Sequence, residues 1–155
     1  MSGLSGYAKY IFPHMKTFLP GLRTVGYLPA EALPTDIPLI ARAGLPVPVM
    51  TDITWIPIIG NDNTASATSE GRGADSLESA DLSFRTDSAI RFPPRAAFVV
   101  VAQSGQHYLI GSAEPPYVQV SFKIDFGSIG AAAGIAYTVS HKAIRTLIPC
   151  VCPFD

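Results

Sequence analysis

The side chains that could do chemistry are few and widely separated in this chain. Three histidines occur, His14, His107 and His141, and none lies at a spacing typical of metal-binding motifs. The serines include no Gly-x-Ser-x-Gly motif, so no nucleophile is singled out. His107 and His141 fall on predicted strands, each on the same face as an apolar neighbour, which favours structural roles. The pattern predicts neither a metal site nor a Ser–His–acid triad.

Two pairs of carboxylates are the candidates for acid–base catalysis, Asp81 with Asp87 and Glu114 with Asp125. Glycoside hydrolysis needs two carboxyl groups at a defined separation, and the sequence does not place these groups. Asp81 falls on the polar face of its predicted strand, and Glu114 lies beside a Pro-Pro turn. We therefore expect no catalytic residue and no enzymatic activity.

Glycine-rich stretches and one acidic turn could bind phosphate or calcium. Residues 71–73 and 127–130 do not fit the phosphate-binding patterns. Asp62 and Asn63 suggest a calcium loop, but the required register and the distal glutamate are missing. A turn after an edge strand is the alternative interpretation. We expect no cofactor.

Cys150 and Cys152 form the only cysteine pair, in a Cys-x-Cys spacing. Side chains at i and i+2 of a strand point the same way, but a disulfide at this spacing is strained. Two cysteines cannot complete a four-ligand zinc site unless histidines or another subunit contribute. Two interpretations stay open: a pair of reduced thiols, or a metal site shared across a symmetric assembly.

The bulk composition narrows the class of protein. The chain has 155 residues, of which 48% are hydrophobic and 15% charged, with a formal net charge of −1. An average soluble domain carries about 25% charged residues. No run approaches the roughly 18–20 apolar residues that span a bilayer, so we expect no membrane partner. The only modest basic group is Arg85, Arg91 and Arg95, interpreted as a solvated rim, and direct nucleic-acid binding is not expected.

The distribution of prolines and apolar residues divides the chain into two predicted parts. Residues 1–57 hold eight of the fourteen prolines, which break helices and central strands. This part is predicted to be an extended arm with edge strands. Residues 58–155 are predicted to be the β core, with a mobile acidic loop at 61–80 because that stretch has few apolar residues to bury. The N-terminus lacks a signal-peptide pattern, so we expect synthesis in the cytoplasm.

The second half reads as a series of strands. Residues 96–102 are a continuous apolar run typical of a central strand, and Ser104-Gly105 predicts a hairpin turn after it. Residues 118–126 alternate strictly, and they are predicted to pair with residues 135–140. A last strand is predicted over 143–148. The fold class is all-β, an antiparallel sandwich or small barrel of about 6–8 strands.

Several aromatic residues lie outside the predicted core strands. Exposed aromatics of this kind mark interfaces. In the alternative, the arm folds back over its own sheet and buries them. The candidate interface residues are Tyr7, Tyr10, Phe12, Phe18 and Trp55.

The second half also resembles a family. The hairpin, the following Glu-Pro-Pro-Tyr at 114–117 and two long alternating strands resemble small uncharacterised β-domain proteins encoded among the virion-assembly genes of tailed phages and prophages. The resemblance covers roughly residues 80–150 and includes no diagnostic motif, so no functional residue is transferred. It implies a structural virion protein, for instance in the head–tail connector or tail, present in the host cytoplasm during synthesis and in the virion afterwards.

Two hypotheses for function follow. In the first, the chain is a non-enzymatic structural subunit of a symmetric assembly that contacts itself and other structural proteins through its arm and β edges. In the alternative, it is a monomeric β-sandwich that binds a carbohydrate or peptide through aromatics such as Trp55, Tyr108 or Tyr117.

Overall fold

The structure, a computed structural model, describes residues 21–60, 63–70, 77–126, 134–143 and 146–152. Within these ranges ten strands form two sheets, so the predicted all-β sandwich is confirmed, with more strands than expected. The described helical segments are a 3-10 turn, Ala30–Ala32, and helix α1, Ile37–Arg42. The strands are β1 Leu22–Pro29, β2 Val47–Pro48, β3 Thr54–Ile56, β4 Thr64–Glu70, β5 Leu77–Thr86, β6 Ala96–Ala102, β7 His107–Ile110, β8 Gln119–Asp125, β9 Gly134–Ala143 and β10 Ile148–Val151.

The two sheets differ in size and in how their strands are ordered. The larger sheet has the order β2-β10-β7-β6-β1-β3, and the smaller has the order β4-β5-β9-β8. Strand pairs in both sheets are antiparallel except β10 with β2, which is parallel. The chain crosses from the larger sheet to the smaller after β3, where Ile58 bridges to Thr86.

The main core lies between the two sheets. Phe98 of β6 and Phe84 of β5 meet there, and the Phe84 ring stacks on that of Tyr137 with centroids 5.3 Å apart. Other fully buried members alternate along their strands with residues that point away, as a two-sheet core requires. They are Val25, Leu82, Val100, Ile110 and Val139.

A second core covers the outer face of the larger sheet. Leu33 and Ile37, from the segment around α1, pack with Val99 and Leu109 of that sheet. The larger sheet is therefore buried on both faces. This explains why β6 is a continuous apolar run, and its predicted central position, between β7 and β1, is confirmed.

Both predicted hairpins are present. Strands β6 and β7 pair across a turn in which Gly105 has φ +94°, a conformation that favours glycine. Strands β8 and β9 pair from Gln119–Ser140 to Asp125–Gly134. The predicted last strand over 143–148 is wrong in its bounds, because β9 continues to Ala143 and β10 runs over Ile148–Val151.

The boundary predicted at residue 57 does not separate an arm from the core. Strand β1 lies inside the larger sheet, between β6 and β3, and its Val25 and Leu28 are fully buried. The prolines misled the prediction because they flank this strand: Pro20 precedes it and Pro29 is its last residue. Residues 22–57 thus belong to the sandwich.

The loop predicted at 61–80 is also corrected. Strand β4, Thr64–Glu70, pairs antiparallel with β5, which begins at Leu77. An edge strand bonds to one neighbour and can leave one face in water, so a small, polar sequence can occupy it. Residues 61–62 and 71–76 lie outside the described residues.

Candidate association surface

A row of large apolar side chains is exposed along β8. Val120, Phe122, Ile124 and Phe126 expose 37%, 65%, 54% and 87% of their surface, respectively. We call these four residues the β8 stripe. The first three lie on β8, and Phe126 directly follows it. A contiguous apolar row of this kind is unusual on a soluble monomer and marks a contact surface.

The β8 stripe continues the buried face of the smaller sheet. Phe122 lies opposite Tyr137 and Val120 opposite Val139, and both β9 partners are buried between the sheets. Opposite residues of an antiparallel pair point to the same face. The stripe would therefore be core if the larger sheet reached over β8, but the buried cluster ends at β9.

The β8 stripe meets the main core through Phe122. The Phe122 ring meets that of Tyr137 at a centroid distance of 6.2 Å and an angle of 46°. Tyr137 is fixed from its other side, because its hydroxyl accepts a hydrogen bond of 2.9 Å from the Ile90 backbone N–H. The Phe122 ring thus packs beside a tyrosine whose position is set by a hydrogen bond to the backbone.

The described sheets have four edge strands, and three of them carry features that discourage pairing. Strand β2 has two residues and includes a proline, β3 has three, and β4 is built of small and polar residues. Strand β8 has seven residues and contains neither proline nor glycine, and although it includes Lys123 it carries large, exposed apolar side chains. Natural sheets protect such edges, so an edge of this kind is suited to pairing with another chain.

Of the interface residues predicted from sequence, Trp55 alone lies in the described part of the chain. Tyr7, Tyr10, Phe12 and Phe18 lie outside the described residues. Trp55 is half-buried on β3, packs against the outer core and pairs with Gly26, and its ring meets the His107 ring at 6.3 Å. Trp55 is therefore engaged largely within its own chain. The alternation of residues 118–126 predicts a strand, but it does not indicate that the apolar side chains of this strand are exposed.

The aromatics proposed for a binding module do not gather on one face. Tyr108 packs on the main core, where burial raises the pKa of its hydroxyl, whereas Trp55 packs on the outer core. Tyr117 lies in the connection before β8, where the Arg95 guanidinium sits 4.6 Å over its ring and donates a 3.2 Å hydrogen bond to its hydroxyl. These three residues do not form a shared aromatic platform.

His141 lines a recess that also contains a carboxylate and a hydroxyl, the groups that a Ser–His–acid triad needs. The recess has a volume of about 450 Å³, and Asp81 and Ser140 also line it. His141 pairs with Ala80 while Asp81 pairs with Ser140, so the imidazole and the carboxylate leave opposite faces of the sheet. The Nε2 atom of His141 lies 3.0 Å from the carbonyl oxygen of Pro116, and Nδ1 has no hydrogen-bond partner among the described residues. The arrangement is not that of a triad.

A second recess, of about 520 Å³, lies between α1 and β10. Its lining includes Glu78, whose carboxylate accepts a 2.8 Å hydrogen bond from the Thr146 backbone N–H. This contact fixes the approach to β10. Most of the other lining residues have small or aliphatic side chains. The described lining residues bring together no set of groups for catalysis.

The two cysteines lie together at one end of the larger sheet. Their Sγ atoms are 3.9 Å apart, which is too far for a disulfide bond between them. Within the described part of the chain, no cluster of three or more histidine, cysteine or acidic residues is placed to hold a metal ion. If a metal site is shared across an assembly, the described residues of each copy therefore supply at most two of its ligands.

Neither the described helices nor comparison with known proteins indicates a function for the chain. None of the helices described is long and apolar enough to cross a bilayer. No protein-family model, curated protein or solved structure matches the chain. Among the described residues, the β8 stripe is the most distinctive surface.

Proposed function

We propose that the chain is a structural subunit that assembles with copies of itself, with the β8 stripe as a contact surface. The observation that carries this proposal is the exposure of Phe122, Ile124 and Phe126 along an edge strand of the described sheets. Burying large apolar side chains stabilises a complex by about 1.5–3 kcal/mol per residue before the costs of association. A repeated subunit contact would remove this surface from water.

Composition supports the same proposal. Charged residues are 15% of the chain, and charged residues are depleted at the cores of protein interfaces. The resemblance to virion-assembly proteins covers residues 80–150, a range that includes β8. We propose that the assembly is part of a tailed-phage particle, such as the head–tail connector or tail, with other structural proteins as further partners.

The test is the oligomeric state of the full chain and of two matched variants. Size-exclusion chromatography with light scattering should find an oligomer for the unmodified chain. Phe122→Ser should shift it towards monomer, because the exposed ring is lost from the contact. Leu39→Ser, on α1, is the matched control, since Leu39 is 66% exposed, close to the 65% of Phe122.

The proposal fails if the unmodified chain is a monomer at all concentrations. It also fails if Phe122→Ser and Leu39→Ser weaken association equally, because the loss would then reflect general hydrophobicity. A clean monomer would favour the alternative of a carbohydrate- or peptide-binding sandwich.

A further inference from the structure

The open side of β8 offers a backbone as well as an apolar face. One side of the strand bonds to β9 over all seven residues, and the order β4-β5-β9-β8 leaves the other side unpaired within the described sheets. A strand added there would satisfy the free N–H and C=O groups and lay its side chains beside the stripe. The identity of that strand is the question.

We infer that the added strand is β8 of a second copy, antiparallel and related by a two-fold axis at Ile124. This inference rests on the proposed function and specifies its partner and geometry. The result is an eight-stranded sheet in the order β4-β5-β9-β8-β8-β9-β5-β4, in which the described residues of the two copies face each other over positions 122–126.

The two-residue period of the strand restricts the registers in which two copies of β8 can pair. A register with Phe122 opposite Lys123 would put the apolar faces of the two copies on opposite sides of the joint sheet, and a two-fold axis normal to the sheet cannot produce it. An axis that passes through a residue sets even-numbered positions opposite even-numbered ones. The apolar residues of the two copies then share one face.

Charge selects among the axes that pass through a residue. An axis at Lys123 would place two lysines directly opposite each other, which is destabilising. An axis at Phe122 would set Lys123 opposite Ser121, with no charge paired. An axis at Ile124 sets Lys123 opposite Asp125 of the second copy, and this pairing occurs twice by symmetry. Opposite charges at facing positions stabilise a strand pair.

The same axis also matches the apolar residues. It sets Phe122 opposite Phe126 of the second copy, again twice, and Ile124 opposite itself. Phe126 and Phe122 are the two most exposed members of the stripe, and facing aromatic residues are among the stronger cross-strand pairs. The register that pairs the charges is thus the one that covers the most exposed rings.

A charge-reversal series tests the register. Lys123→Asp places acidic residues opposite each other at both positions, and Asp125→Lys does the same with basic ones. Each single variant should weaken dimerisation by about tenfold, because two facing pairs change sign. The combined variant Lys123→Asp/Asp125→Lys restores opposite charges and should return the dissociation constant to within about threefold of the original.

Sedimentation equilibrium on the full chain measures the dissociation constants, and circular dichroism checks that each variant keeps its β structure. Arg91→Asp is the control for Lys123→Asp, since it makes the same change in net charge at an exposed position outside β8. It should leave the dissociation constant unchanged.

The outcomes separate this inference from the proposed function. If Phe122→Ser weakens association while the charge variants do not, the β8 stripe is a contact but the register is wrong. If the combined variant is as weak as the single ones, the facing of Lys123 and Asp125 is refuted. If the unmodified chain is a monomer, the proposed function and this inference fall together.

Discussion

His141 shows how one titratable side chain is held in a fixed charge state. It is 3% exposed, and its Nε2 is within hydrogen-bond distance of the Pro116 carbonyl. Burial lowers the pKa of the imidazole, and the hydrogen bond to Pro116 opposes that shift only in part. The neutral form donates one proton to this carbonyl and keeps β9 attached to the connection that leads into β8.

This charge state makes stability depend on pH. Because the folded pKa of His141 is lowered, the unfolded chain binds the proton first as the pH falls below about 6.5. The stabilisation is therefore complete above the unfolded pKa and is lost as the pH falls from there towards the folded pKa, by up to about 1.4 kcal/mol per pH unit. We expect urea unfolding at pH 7.5 and 5.5 to show this decrease.

One substitution isolates the contribution of this histidine. His141→Gln should reduce the difference in the free energy of unfolding between the two pH values. If His141→Gln loses stability with pH as steeply as the unmodified chain, other groups cause the dependence.

The sequence predicted part of this site. The alternation through Val139 places His141 on the buried face, and that reasoning needs only neighbouring residues. The Pro116 carbonyl is 25 positions away in the chain. No local pattern indicates which backbone oxygen a histidine will meet across a fold.

At the scale of elements, the passage from β3 to β4 depends on Asn63. Its side-chain amide donates hydrogen bonds of 3.1 Å and 3.3 Å to the carbonyls of Ile59 and Gly60, and its Oδ1 accepts one of 2.8 Å from the Arg85 N–H. The residue is buried. One side chain therefore holds the crossover between sheets against β5.

We expect Asn63→Ala to lower the free energy of unfolding by about 1–3 kcal/mol, because buried backbone groups lose their partners. Ser66→Ala, at an exposed position of β4, should change it by less than about 0.5 kcal/mol. Chemical denaturation measures both. Equal, small effects would show that water replaces the amide without loss and that the crossover is held by other contacts.

Elements were predictable where pattern is local and missed where pairing is not. The continuous run of β6 and the alternation of β8 are properties of a few adjacent residues, and both strands were predicted. Strand β4 has little hydrophobic signal and exists because β5 lies beside it. The exposure of Phe122 depends on how far the larger sheet extends, which is set by residues distant in sequence.

At the scale of the whole molecule, the surplus of apolar residues has a different location from the one predicted. Residues 22–57 supply β1 and much of the outer core, including Leu33, Ile37 and Val47. A sheet buried on both faces consumes more apolar side chains than a simple two-layer sandwich. The described surplus that still faces water is concentrated on β8, with Leu39, Leu45 and Met50 among the exposed residues elsewhere.

If association buries the β8 stripe, thermal stability should depend on protein concentration. A partner that binds only the folded state raises the free energy of unfolding by roughly 2.7 kcal/mol at a hundredfold excess over Kd. For a chain of this size, each kcal/mol corresponds to roughly 2–4 °C in Tm. Calorimetry over a hundredfold range of concentration should show a rising Tm.

Phe122→Ser is the comparison for this measurement and should give a Tm nearly independent of concentration. A Tm that rises equally in both proteins would show that association stabilises the fold through another surface.

The position of β10 between β7 and β2 has a consequence for synthesis of the chain. β2 pairs in the larger sheet only with β10, the last described strand in chain order. A nascent chain that has emerged as far as β9 can form the smaller sheet, while Val47 and Val49 still lack the strand beside which they pack. The nascent chain would therefore keep an unfinished outer core until β10 emerges, and pauses in translation before β10 would prolong the exposure of apolar residues that can aggregate.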